Sequence, residues 1–173
     1  MSIDYGPFLF AAPLCCGAEW LDHAMWLAGA NGPRVRGNSY DLFPDGTPKL
    51  KISTVCHPCL WMELSHLTCA LEEKMPDPIK EAQLGLETFM AKYFRGHRGG
   101  VSRMFACYGA DVVSRLEDQP AALVELLKSL GIKGDGLRQL CGPVLPPRLE
   151  WKPEVRAAFL AAEKEMCERY DYF

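Results

Sequence analysis

Cysteines follow two short apolar segments of this chain, and thiols in such positions can bind metal ions or exchange disulfides. Cys15 and Cys16 come soon after the apolar run 8–12. Cys56 and Cys59 form a C-x-x-C motif at the end of a second run. A helix N-terminus stabilises a thiolate, so we expect a lowered thiol pKa in this motif. We expect ordinary buried thiols at these four positions, and the alternative is a zinc site or an exchangeable disulfide.

Hydrophobic periodicity places each cysteine motif between a strand and a helix. Residues 8–12 are apolar throughout, which is typical of a strand buried on both faces. Residues 50–55 favour a second strand, and helices are predicted from Ala18 onward and over 58–73. Neighbouring parallel strands have their carboxyl ends at the same edge of a sheet. We therefore expect one cysteine of the first motif to lie close to one of the second.

The rest of the chain continues the alternation of strands and helices. The further predicted elements are a helix from Pro78 to the glycine-rich loop at 95–100, a strand or helix end at 101–108, a strand at 111–116, a helix from Pro120 to Gly131 and a last helix from Pro153. Glycine- and proline-rich connections are predicted at 30–48 and 131–150. This order predicts an α/β fold, with a small, mostly parallel sheet flanked by helices, in a single domain over 1–173.

The charge, the apolar runs and the cysteine content of the chain limit the kinds of partner and cellular setting that we expect. The 173 residues are 49% hydrophobic and carry a formal net charge of −3, which argues against general nucleic-acid binding. No apolar run reaches the ~18 residues of a membrane span, and no basic segment precedes the first run, so neither a membrane anchor nor a signal peptide is expected. Eight cysteines in a helix-rich chain favour free thiols in a reducing, cytoplasmic setting.

Three separated segments share a further pattern. Residues 15–21 read Cys-Cys-Gly-Ala-Glu-Trp-Leu, residues 54–61 read Thr-Val-Cys-His-Pro-Cys-Leu-Trp, and residues 113–118 read Val-Ser-Arg-Leu-Glu-Asp. In this order they resemble the Lys-Ser-Gly-Thr-Thr-Trp-Leu loop, the Arg-His-Pro strand end and the Arg-Tyr-Glu-Asp strand end of the sulfotransferase family. The resemblance implies a P-loop-type, three-layer sandwich and, if the family activity is retained, phosphoadenosine phosphosulfate as the cofactor.

The resemblance also implies which positions would face that cofactor. The family's loop lysine falls on Cys15 and its serine on Cys16, and Glu19 replaces a hydroxyl donor. The family's strand-end arginine falls on Cys56, and its serine partner has no match because Ser65 lies one position late, a rotation of roughly 100° on a helix. The implied cofactor-binding positions are Cys15, Cys16, Gly17, Ala18, Glu19, Trp20, Cys56 and Ser65.

These replacements remove several charge-assisted hydrogen bonds to phosphate, each worth ~1.5–3 kcal/mol. We therefore expect a sulfotransferase-like protein that has lapsed in catalysis and binds or assembles with an unknown protein or small molecule, but not with nucleic acid or membrane. One alternative is an active small sulfotransferase that moves a sulfuryl group to a hydroxyl or amine. A weaker alternative is a thiol redox or zinc-binding protein.

Two histidines are candidates for a catalytic base, because imidazole titrates near neutral pH. His57 lies inside the C-x-x-C motif and could join its thiols as a ligand. His23 lies on the first helix beside Asp22, where we expect an ordinary solvated side chain and a catalytic base is the alternative.

Overall fold

In the computed structural model, the described residues form two compact units. The described residues are 2–13, 16–27, 32, 34–35, 43, 46–71, 85–106, 109–131, 142–143 and 149–173. The first unit covers Met1–Cys56 and Ala106–Val144, and the second covers His57–Phe105 and Leu145–Phe173.

The two units contain the following elements, in chain order. They are β1 (Ser2–Asp4), β2 (Phe8–Phe10), α1 (Ala18–Leu27), β3 (Arg34–Val35), β4 (Leu50–Val55), α2 (Pro58–Leu71), α3 (Leu86–Gly96), α4 (Gly100–Ala106), β5 (Val112–Arg115), a 3-10 turn (Leu116–Asp118), α5 (Ala121–Ser129), α6 (Pro153–Ala162) and α7 (Lys164–Arg169). None of the helices in the described ranges has both the length and the apolar composition needed to cross a bilayer.

The first unit is built on one open sheet with the strand order β3-β1-β2-β4-β5 among its described residues. The β2–β4 and β4–β5 pairs are parallel, whereas β1 runs antiparallel to both of its neighbours. Four of these five strands therefore run in the same direction. The predicted strands at 8–12, 50–55 and 111–116 are confirmed as members of one sheet, and so is the α/β class.

Strand β2 is buried on both faces, as its apolar run predicts. Phe8 and Phe10 pack with Ile52 of β4 in the larger core of the unit. Leu9 and Ala11 point the other way and form a second cluster. The larger core is completed by residues of α1 and α5, namely Leu21, Ala24, Met25, Leu123 and Leu127. Both helices thus cover the same face of the sheet.

Two strands of the sheet carry no usable signal in the sequence. β3 lies inside the predicted connection 30–48, so that prediction is wrong for Arg34–Val35. β1 pairs with β2 through a tight turn in which the Tyr5 N–H donates to the Phe8 carbonyl at 3.0 Å. Strands of two or three residues are too short to show an alternating pattern, so only their pairing defines them.

The second unit is helical in its described part. The ambiguous segment at 101–108 is a helix through Ala106, and the helix predicted over 58–73 is confirmed as far as Leu71. The predicted start of the next helix at Pro78 lies outside the described residues, and α3 begins at Leu86. The last predicted helix is in fact two helices, α6 and α7, which meet at Glu163.

Glu163 lies at this break, and its carboxylate is fully buried and must therefore be hydrogen-bonded. One oxygen accepts bonds from the Val101 N–H at 3.2 Å and from the Tyr93 hydroxyl. The other accepts bonds from the N–H and the hydroxyl of Ser102, each at 2.7 Å. Burial and the bond to this carboxylate raise the pKa of Tyr93 well above its ordinary value. Glu163 therefore satisfies the first amide groups of α4 from inside the unit.

Replacing Glu163 with Ala should lower the free energy of unfolding by at least about 3 kcal/mol, because several buried donors lose their acceptor. Glu163→Gln should cost less, since its amide oxygen can still accept. Urea unfolding followed by tryptophan fluorescence measures both. The control is Glu165→Ala, an exposed position in α7 where the expected change is below about 1 kcal/mol. Equal losses at positions 163 and 165 would contradict this role of the carboxylate.

Candidate functional site

Two thiols meet where β2 and β4 end. The Sγ atoms of Cys16 and Cys56 lie 3.6 Å apart, and both residues have 0% exposure. This confirms the prediction that a cysteine of the first motif lies close to one of the second. Cys15 lies outside the described residues, and Cys59 belongs to the second unit. The structure therefore brings one cysteine from each motif together.

The backbone around Cys16 is fixed on several sides. The Thr54 hydroxyl donates a 2.5 Å hydrogen bond to the Cys16 carbonyl, and the Cys16 N–H donates to the Pro13 carbonyl at 3.0 Å. Gly17 has a φ of +81°, and a Cβ at this position would collide with the Leu116 side chain. Only glycine adopts such a φ without strain, so the loop turns sharply here and directs Cys16 into the interior.

The first turn of α1 presents the other implied cofactor positions. The helix begins at Ala18, and the Leu21 N–H donates to the Gly17 carbonyl at 2.9 Å. Ala18 and Trp20 are half-buried and pack against the larger core, whereas Glu19 is exposed. A carboxylate in the first turn interacts favourably with the positive end of the helix dipole. Glu19 thus places a negative charge of the protein itself at the position where the resemblance implies a phosphate of the cofactor.

Cys59 and Ser65 both lie on α2 in the second unit. Burial, the largest cause, raises the pKa of Cys59 to about 12, so the expected lowered pKa is wrong for this thiol. The Arg156 charge lowers that pKa and the Glu63 charge raises it, but desolvation outweighs both. The Ser65 hydroxyl is buried and makes no hydrogen bond to any described residue.

The two candidate histidines, His57 and His23, contact different residues and do not share a site. The Nδ1 atom of His57 accepts a hydrogen bond from the Cys59 N–H at 3.1 Å, which caps the first turn of α2. The ring of His57 also contacts the Tyr172 ring edge-on, at 5.3 Å between centroids. His23 is exposed and stacks on Trp26 at 5.8 Å. The lone pair on Nδ1 of His57 is therefore occupied by this hydrogen bond to the first turn of α2.

For the alternative of a zinc site, the part of the chain that the structure describes supplies no further ligands. Within those ranges, no three or more His, Cys, Asp or Glu side chains are grouped so that they could hold a metal ion. A buried pair of neighbouring thiols can still lose two electrons and become a disulfide. This is the chemistry that the Cys16–Cys56 geometry supports directly.

The sequence reading missed two side chains that position this edge of the sheet. Thr54 reads as an ordinary β-branched strand residue, yet its hydroxyl holds the Cys16 backbone. Gln119 is buried, accepts a hydrogen bond from the Leu123 N–H at 3.1 Å and donates to the Ser114 hydroxyl at 3.0 Å. It thereby joins the start of α5 to β5. A glutamine directly before the proline that opens a helix was the available signal.

A second buried carboxylate was also missed, in the second unit. Glu63 on α2 is only 4% exposed and accepts a 2.7 Å hydrogen bond from the indole N–H of Trp151. The leucines at 60, 64 and 67 predict the helix correctly, yet they are only half-buried. The more buried side of α2 instead carries polar residues, including Glu63 and Ser65. Leucine spacing alone therefore indicates the helix but not its buried face.

Comparisons with known proteins identified no relative of this chain. No protein-family model matches the chain, and no curated protein and no solved structure matches it significantly. The class defined by the observations is an α/β protein with a mostly parallel sheet and a buried thiol pair at the carboxyl edge of that sheet.

Cys59 should be nearly inert to iodoacetamide in the native protein at pH 8. With a pKa near 12 instead of 9.0, its thiolate fraction at this pH falls by about 10³-fold, and alkylation should slow at least as much relative to the urea-unfolded chain. Peptide mass spectrometry of timed samples measures both rates.

Glu63→Gln is the matched variant for this measurement. It removes a negative charge that raises the pKa of Cys59, while its amide oxygen can still accept the Trp151 hydrogen bond. The native alkylation rate of Cys59 should therefore increase in this variant. A native rate in the unchanged protein equal to that of the unfolded chain would show that burial does not control this thiol.

Proposed function

We propose that this chain is a divergent sulfotransferase-like protein that no longer uses the phosphosulfate donor and acts as a binding or assembly protein. The observation that carries the proposal is the contact between Cys16 and Cys56. The resemblance puts the family's loop serine and strand-end arginine at these two positions. Here the corresponding side chains are cysteines that are buried and in contact with each other.

The order of elements supports the sulfotransferase-like part of the proposal. A buried strand leads through a glycine turn into α1, and the parallel neighbour β4 leads into α2. The third segment of the resemblance coincides with β5 and the turn after it, again parallel to β4. The three segments that resemble the family thus lie on three adjacent parallel strands and on the chain that directly follows them.

The loop side chains support the loss of donor binding. The buried Cys16 thiol cannot reach a ligand at the surface, and Glu19 holds a negative charge in the first turn of α1. Two like charges ~4 Å apart repel by about 4 kcal/mol at an effective dielectric near 20 and by about 1 kcal/mol in water. Because Glu19 is exposed, the lower figure is the closer one. That repulsion adds to the missing hydrogen bonds.

We infer a binding role because such a role does not require the phosphosulfate donor. The proposal includes a reducing, cytoplasmic setting, supported by four buried cysteines in the described ranges that are not in disulfides. The partner would be a protein or a small molecule other than the phosphosulfate donor. An active sulfotransferase is the competing outcome of the following experiment.

Calorimetric titration with phosphoadenosine phosphate tests the proposal. The unchanged protein should show no saturable binding tighter than a Kd of about 1 mM. The triple variant Cys15→Lys, Cys16→Ser and Glu19→Thr should bind at least about tenfold more tightly, because it regains a cation and an exposed hydroxyl at position 19 and loses the repelling charge.

Glu125→Lys provides the control for net charge, because it exchanges a negative for a positive charge and so matches the triple variant, which gains one positive charge and loses one negative charge. Glu125 is an exposed carboxylate on α5, so its replacement should leave the titration unchanged. Micromolar binding by the unchanged protein would overturn the loss of donor binding. A triple variant with no gain would contradict the assignment of residues 15–19 as the cofactor loop.

A further inference from the structure

We propose that Cys16 and Cys56 form a redox modification site, in which the two thiols become a reversible disulfide by exchange with a small disulfide such as glutathione disulfide. The inference depends on the geometry of the first unit. It does not depend on the sulfotransferase resemblance or on any bound ligand.

The two sulfur atoms are already in van der Waals contact. They lie 3.6 Å apart, although the residues are 40 positions apart in the chain. A disulfide bond is about 2.05 Å long, so the sulfur atoms must approach by only about 1.6 Å. Side-chain rotation can supply much of such a displacement, so the strands themselves need not separate.

The surrounding hydrogen bonds hold the pair in register. Thr54 is two residues before Cys56 on the same strand end, and its hydroxyl binds the Cys16 carbonyl. The turn from Pro13 and the packing of Gly17 against Leu116 fix the backbone on either side. The folded chain therefore already holds the two thiols next to each other. An intramolecular exchange step between groups held in this way is strongly favoured over attack by a second external thiol.

The chemistry balances as two successive exchanges. One cysteine thiolate attacks glutathione disulfide, its sulfur–sulfur bond breaks, and one glutathione thiolate leaves. The second cysteine thiolate attacks the protein sulfur of the mixed disulfide and displaces the second glutathione. Two electrons pass from the protein to glutathione disulfide, and the two cysteine protons end on two glutathione thiols. Excess reduced glutathione reverses both steps.

Burial sets the pace of this modification. Both cysteines are 0% exposed, so the first exchange requires a local opening of the loop that contains Cys16. The same burial slows, but does not prevent, reduction of the finished disulfide by excess thiol. The site should thus respond to sustained changes in the thiol–disulfide balance and much more slowly than an exposed thiol.

A disulfide between these positions closes a loop of about 40 residues and should raise the melting temperature by about 10 °C. It ties the loop after β2 to the end of β4. The oxidised protein should therefore be recognisable both by its mass and by its stability.

The experiment uses the full, reduced chain under native conditions with excess glutathione disulfide. The remaining thiols are then alkylated after unfolding, and the digest is analysed by mass spectrometry. We expect a cross-linked peptide that joins Cys16 to Cys56, together with the rise in melting temperature. Adding excess reduced glutathione should remove both.

Three variants define the pair. Cys167→Ser changes another buried cysteine and should keep the cross-link and the temperature shift. Cys16→Ser and Cys56→Ser should each lose both. The result on the unchanged chain decides the question even if one of these variants fails to fold.

Three results would overturn the proposal. In the first, Cys16 and Cys56 remain as thiols in the native chain while the unfolded chain is oxidised under the same conditions. In the second, glutathione stays attached to either residue without forming the cross-link. In the third, the main cross-link joins other cysteines.

Discussion

The parallel pairing of β2 with β4 is the constraint on which the first unit depends. Phe8, Leu9 and Phe10 lie opposite the first residues of β4, so both strands end at the same edge of the sheet. Because β2 is buried on both faces, a shift by one residue would only exchange one apolar face for the other. The glycine turn at Gly17 and the Thr54–Cys16 hydrogen bond fix the loop that follows. The thiol contact is a consequence of this pairing.

In the second unit, the buried carboxylate of Glu163 is the group that several segments contact. The desolvation of Glu163 is repaid only because the first amides of α4, a serine hydroxyl and a tyrosine hydroxyl all point at it. The carboxylate belongs to the residue at which α6 and α7 meet. The sequence carries a hint of this, since Glu163 falls between Phe159 and Met166 on the apolar side of the predicted helix. A charge within an apolar stripe indicates a buried acceptor.

The main strands and helices could be predicted because their apolar runs are long enough to show a period. The prolines at positions 58, 120 and 153 predict three helix starts to within one residue of those observed. β1 and β3 could not be predicted, because strands of two or three residues exist only through pairing. The thiol contact followed from topology, whereas the network around Glu163 depends on contacts between segments more than 60 positions apart.

The cysteines show why residue type and local position do not settle chemistry. Cys59 sits in the first turn of α2, where the helix dipole favours a thiolate by an amount typically below 1 kcal/mol. Burial raises its pKa to about 12 and reverses that preference, so the C-x-x-C spacing is not reactive by itself. Cys16 and Cys56 are as deeply buried, but each has a second sulfur in contact with it. The chemistry of a buried thiol depends on the side chain that contacts it. Here that contact results from the pairing of β2 with β4, which the local spacing of the cysteines does not reveal.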